Sequence, residues 1–226
     1  MSKHMERDLE ELHGDMLALA GAVEEAIFGT IRALQERDAN LAHQVIAGDD
    51  PIDQQENRIE EECLKMLALH QPVAIDLRRI TAVLKINTDL ERMADLAVDI
   101  AERAVSLAAL TPIPVPENPQ RMTELSTSMV RQSLEAFIEL DSHKARMVCR
   151  TDDEVDCYNA DIIQELIRTM RSSPEMIEPA LSLFSATRHL ERIADHATNI
   201  AEDVIYLIEG EIVRHRPQAL TEAERK

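Results

Sequence analysis

Glu91, Asp95 and Asp99 follow one another at i, i+4 and i+8, and Glu191, Asp195 and Asn199 repeat the pattern in the same order. On a helix such spacing stacks oxygen-bearing side chains along one face, where like charges repel by about 0.2–0.5 kcal/mol per pair. Two further acidic groups echo each other, Asp49-Asp-Pro-Ile-Asp53 and Asp152-Asp-Glu-Val-Asp156. A set of carboxylates with no thiolate or imidazole suits hard cations such as magnesium, calcium or manganese. Multinuclear iron or zinc bridged by carboxylates fits the same donors. A plain solvated acidic face would show the same spacing, with Arg92 and Arg192 as partial counter-charges. From the residues alone both readings stand.

The acidic groups belong to a duplication. Leu90-Glu-Arg-Met-Ala-Asp-Leu-Ala-Val-Asp-Ile-Ala-Glu102 returns as Leu190-Glu-Arg-Ile-Ala-Asp-His-Ala-Thr-Asn-Ile-Ala-Glu202, identical at nine of thirteen positions. Chance would give about one. The chain is therefore two related units, and chemistry carried by one is expected twice.

Helices must position these groups. With 5 Gly, 3 Phe, 2 Tyr and no Trp in 226 residues, the chain lacks the turn and aromatic residues of antiparallel sheets. Ala, Leu, Met and Glu favour helix, so the fold class is all-α. Met5, Leu9, Leu12, Met16, Leu19, Val23, Ile27, Ile31 and Leu34 form one apolar stripe from about Met5 to Asp38. Ile52, Ile59, Cys63, Met66 and His70 mark a second helix, entered through Gly48-Asp-Asp-Pro51 with Asp49 or Asp50 as cap and stopped at Gln71-Pro72. A third runs from about Ala74 to Ala109.

The second half follows the same plan, its first helix extending to about Val148 and its turn at Ser172-Ser-Pro174. Short loops imply antiparallel neighbours. The expectation is six helices in two tandem three-helix bundles, residues 1–110 and 120–212. A proline-rich linker at 111–119 joins them, and a charged, frayed tail follows from 213 to 226.

Folding about Pro72 sets Asp53 level with Glu91 and Asp49 near Asp95. Folding about Ser173 sets Asp156 near Glu191 and Asp152 near Asp195. Each half thus gathers five oxygen-bearing residues: Asp49, Asp53, Glu91, Asp95 and Asp99, then Asp152, Asp156, Glu191, Asp195 and Asn199. On a helical wheel Glu91 and Asp95 point well away from the apolar stripe, so any site is expected to be superficial. His189 and His196 share a face only in the second half and read as packing or flanking residues. Glu10-Glu-Leu-His13 is a lone Glu-x-x-His without the second copy a di-iron bundle uses.

The 43 acidic and 24 basic residues leave a formal charge of −19. That repels nucleic acid and anionic lipid and suits cations or a basic protein surface. Three cysteines without a CxxC pair read as helix cysteines in a reducing cytosol. No apolar run approaches the length of a membrane span, and no signal-peptide pattern opens the chain. Neither a phosphate loop nor a nucleophile–base motif is present.

The two Glu-Arg-x-x-Asp repeats, Asp49–Asp53 and Gln71-Pro-Val-Ala-Ile-Asp-Leu-Arg78 resemble the PhoU family of phosphate-signalling regulators. So does Asp195-His-Ala-Thr-Asn-Ile-Ala-Glu-Asp203, continued by Val204-Ile-Tyr-Leu-Ile-Glu-Gly210. The resemblance spans nearly the whole chain. It implies paired three-helix bundles, a homodimer and multinuclear metal clusters on Asp49, Asp53, Glu91, Asp95, Asp152, Asp156, Glu191 and Asp195. It also implies a cytoplasmic, non-enzymatic adaptor that represses the phosphate-starvation response through the phosphate ABC transporter, its ATPase subunit and the sensor histidine kinase. The alternatives are a carboxylate-bridged metal enzyme (oxidase or phosphohydrolase) and a metal-free helical scaffold.

Overall fold

The structure, a computed structural model, describes residues 3–113 and 118–214. Among these residues every long element is helical and none is a strand. The order is α1 (Lys3–Glu36), α2 (Ala39–Ala47), α3 (Asp49–His70), α4 (Ala74–Ala109), α5 (Asn118–Glu139), α6 (Ser142–Ser172) and α7 (Ile177–Glu209). A single 3-10 turn at Pro174–Met176 precedes α7. Six long helices thus form two bundles, with the short α2 added in the first half.

Both halves turn the same corner in the same way. Asp38 caps α2 by accepting from the backbone N–H groups of Asn40 and Leu41, at 2.9 and 3.1 Å. Asp141 caps α6 by accepting from those of His143 and Lys144, at 2.9 and 3.0 Å. The residues before them, Arg37 and Leu140, both carry left-handed backbone, with φ of +56° and +52°. The first helix ends at Glu36, close to the expected Asp38, but that of the second half ends earlier than the apolar stripe suggests. In particular α5 stops at Glu139 rather than running to Val148, because Asp141 opens a new helix there.

The middle helix of the first half breaks where that of the second does not. Gly48 separates α2 from α3 with near-helical backbone (φ −84°, ψ −3°) and offers no side-chain cap. Asp49 and Asp50 sit inside the first turn of α3 rather than capping it, where their charge complements the helix dipole. After Gly210, which closes α7 in the left-handed conformation, the chain does not fray at once: Val213 is buried. Residues 114–117 of the expected linker and 215–226 of the expected tail lie outside the described residues.

The bundles pack through α4 and α7, which run antiparallel. Cross-seam pairs at Lys85–Asp203, Asp89–Asn199 and His189–Asp99 fix the register. Ala94, Ala97, Ala194, Ala197 and Ala201 are all buried on these two helices, small enough for close backbone approach. Leu90, Ile100, Ile193 and Ile200 fill the same core. α3 flanks α4 and α6 flanks α7, which places the acidic segments of each half side by side.

Candidate carboxylate clefts

The antiparallel turn from α3 into α4 delivers the expected register. Asp49 lies within electrostatic reach of Asp53 and Asp95, and Glu91 within reach of Asp95 and Asp53. In the second half Asp152 faces Asp156 and Glu191, while Asp195 faces Glu191, Asp152 and Asp156. Eight of the ten candidate residues therefore gather in two clefts, one between α3 and α4 and one between α6 and α7.

Asp99 and Asn199 do not join them. Eight residues beyond Glu91 and Glu191, their side chains have rotated by about 80° around the helix and face the α4–α7 seam. Asn199 Nδ2 donates to Asp89 Oδ1 at 3.2 Å, and His189 Nδ1 stands 3.6 Å from Asp99 Oδ2. The 100-residue repeat relates these pairs: Asp89 occupies the place of His189, and Asn199 that of Asp99. His196 Nδ1 donates to the same Asp89 oxygen at 2.7 Å. The seam thus uses groups that the sequence pattern assigns to the acidic stack.

The clefts are superficial, as helical-wheel geometry suggests: none of the eight residues is buried, although single oxygens are. Asp49 Oδ1 and Glu191 Oε2 are buried and have no hydrogen-bond partner. Burial, then the neighbouring carboxylates, pushes the Asp49 and Glu91 carboxyls above the ordinary range, with Arg92 partly offsetting the effect at Glu91. The second cleft is more strongly perturbed. Burial first and Asp156 next push Asp152 up to about 6, although the Thr198 hydroxyl partly opposes this. Burial and then Glu191 push Asp195 up to about 6 as well. Asp195 and Asp156 are both exposed, so this cleft opens to solvent.

Glu56 is a member of the first cleft that lies outside the repeated acidic spacing, since it follows Asp53 by three rather than four residues. Its carboxylate accepts from Asn87 Nδ2 at 2.9 Å and interacts with Glu91, and burial raises its pKa. Asn87 is buried on the otherwise apolar face of α4, and its amide is the partner that holds Glu56 at the cleft. The second half has Thr187 and Asn159 in these places, so the clefts differ in charge.

Arg92 lies 3.4 Å from both Glu91 and Asp95, and Arg188 pairs with Glu191 at 2.7 Å. As arranged, no three His, Cys, Asp or Glu side chains among the described residues form a ready coordination sphere. The donors fit a cation in chemistry and charge: each cleft holds clustered carboxylates, one of them with a buried oxygen that no protein donor satisfies. Burial pushes the thiols of Cys63 and Cys149 up to about 12, which makes them poor ligands.

A duplicated helical bundle with one carboxylate cleft per repeat defines the class. The model of the PhoU domain matches residues 16–104 and 120–204, one match per bundle. The chain belongs to the PhoU family. A phosphate-specific transport system accessory protein PhoU homolog of Aquifex aeolicus is 44% identical over 210 residues, covering 93% of this chain and 95% of the relative. One from Pseudomonas putida is 39% identical over 221 residues, covering 95% and 84%. The crystal structure of PhoU from Pseudomonas aeruginosa superposes with a TM-score of 0.88 at 38% identity, covering 91% of this chain and 99% of that one. The phosphate transport system regulatory protein PhoU from Streptococcus pneumoniae gives 0.85 at 32% identity, covering 92% and 99%.

Proposed function

We propose that this chain restrains the phosphate-starvation response when phosphate is plentiful. It acts as a cytoplasmic, homodimeric, non-enzymatic adaptor between the ATPase subunit of a phosphate ABC transporter and a sensor histidine kinase. The observation that carries this reading is the family match across both repeats, together with relatives named as accessory and regulatory proteins of phosphate transport. Two features of the molecule support it. Among the described residues no helix is long and apolar enough to cross a membrane. The surface carries strong negative charge, which favours association with basic protein faces.

Within this reading the clefts are cation sites. Asp49, Asp53, Glu91 and Asp95 would hold metal in the first, and Asp152, Asp156, Glu191 and Asp195 in the second. Iron, zinc, manganese and magnesium all accept oxygen donors of this kind. Bound metal would neutralise the clustered charge and tie α3 to α4 and α6 to α7. Side-chain rotation within each cleft is needed to complete a coordination sphere.

The adaptor role is tested by titrating the purified chain against the ATPase subunit and against the cytoplasmic part of the kinase. Saturable binding to both is expected, and binding to neither overturns the proposal.

A further inference from the structure

The Glu202-Asp203 pair and Tyr206 lie in a segment that the metal clefts do not use. Asp203 is buried at the α4–α7 seam, its side chain only 5% exposed. Its Oδ1 accepts from Lys85 Nζ of the other half at 2.7 Å. Its Oδ2 is buried and makes no hydrogen bond. Nothing in the duplication calls for this carboxylate, because the matching residue of the first repeat is Arg103.

Asp203 lines a 300 Å³ cavity together with Lys85, Glu202, Tyr206, Val213 and Arg214. The cavity is roofed by the segment after Gly210, which buried Val213 pins down. Arg214, next in that segment, reaches back over the cavity. Its Nε donates to Glu202 Oε2 at 3.0 Å, while its Nη2 stops 3.8 Å from Asp203 Oδ2, beyond hydrogen-bond reach. The Tyr206 ring forms a wall, with Lys85 Nζ 5.5 Å from its centroid on the cavity side.

We propose that this cavity is a docking pocket for an arginine side chain of a partner protein, and that the chain's own Arg214 is its resident competitor. The carboxylates are the fixed part: Glu202 is 15% and Asp203 5% exposed, while the Arg214 side chain is 39% exposed. Lys85, itself half exposed, is held on Asp203 Oδ1 at 2.7 Å, whereas Arg214 makes a single hydrogen bond here and stands 3.8 Å from Asp203, so Arg214 is the exchangeable cation. Among the residues that line the cavity, removing it leaves two carboxylates, Glu202 and Asp203, with Lys85 as their cation, and an incoming guanidinium restores the balance. A planar fork can bridge the two adjacent carboxylates and satisfy Asp203 Oδ2, which Arg214 does not reach; a lysine ammonium lacks that geometry. The strongly acidic surface draws basic partners to this face. The inference holds whether or not the partner is a transporter subunit or a kinase.

The test is binding of a labelled tetra-arginine peptide to the full chain at physiological ionic strength. Removing a resident competitor exposes the pocket, so Arg214→Ala should tighten binding by about tenfold if Arg214 fills the pocket roughly nine-tenths of the time. Glu202→Gln and Asp203→Asn should each weaken binding severalfold, whereas Asp95→Asn and Asp195→Asn should leave it unchanged. Tetra-lysine should bind more weakly than tetra-arginine. Should Asp203→Asn fail to fold, Arg214→Ala and Glu202→Gln still decide the matter. Unchanged affinity in Arg214→Ala overturns the proposal. So does equal binding of tetra-lysine or spermine, or weakening by the cleft variants alone.

Discussion

The Asp89 carboxylate on α4 accepts hydrogen bonds from His196 Nδ1 at 2.7 Å and from Asn199 Nδ2 at 3.2 Å on α7. This joins the two halves two residues from Glu91 and one from Asp195. The seam and the clefts are thus laid out on the same two helices, on adjacent faces. Asp89→Ala leaves two polar groups of α7 without their partner. It should lower stability by about 2 kcal/mol in chemical denaturation, whereas exposed Asp50→Ala should stay within about 0.5 kcal/mol of wild type.

The core side of α4 is equally specific. Leu90 is fully buried, and Leu90→Asp places a carboxylate there without a partner, at a cost of more than about 3 kcal/mol. Its neighbour Glu91 faces the cleft, and Glu91→Ala relieves like-charge repulsion in the metal-free protein. Thermal melts of the two variants should differ widely, and similar melting temperatures would show the buried stripe to be misassigned.

Metal removal separates a cation site from a solvated acidic face. Binding to the native state alone stabilises it by mass action, by about 2.7 kcal/mol at a hundredfold excess over Kd. Chelation should accordingly lower the melting temperature by several degrees, at about 2–4 °C per kcal/mol for a chain of this size. The double variant Asp95→Asn with Asp195→Asn should lose bound metal and its response to chelator. Elemental analysis of tag-free protein, before and after reconstitution with iron, zinc or manganese, checks both outcomes.

The pH dependence of the metal-free protein follows from Asp152 and Asp195, each pushed up to about 6. The folded state holds these protons more tightly than the unfolded chain does. Their contribution is therefore greatest below the unfolded pKa and is lost as pH rises from about 4 to about 6. In chelator, Asp195→Asn should flatten that decline relative to wild type. A slope unchanged by Asp195→Asn would show that its carboxylate is not perturbed.

The helices, the duplication and eight cleft residues were legible because each rests on local spacing. Apolar periodicity defines the helices, and short loops of matched position set the register that brings Asp53 to Glu91. What sequence spacing hid was rotational or singular. Asp99 and Asn199 continue the i, i+4 series in sequence but leave its face, because two helical turns span 7.2 residues and not eight. The corner caps at Asp38 and Asp141 carry no periodic signal, so the early end of α5 was not legible. Glu56 joins the first cleft through Asn87, a contact between helices that no motif on either one encodes. The Asp203 pocket depends on residues 210–214 folding back, which a charged sequence after a glycine does not announce.

The central claim is repression of the phosphate-starvation response, and the most direct measurement is alkaline phosphatase activity in the source organism at high phosphate. Deletion of this chain should raise the activity to the level of starved cells, and restoring the wild-type chain should silence it again. Unchanged repression in the deletion strain would contradict the account.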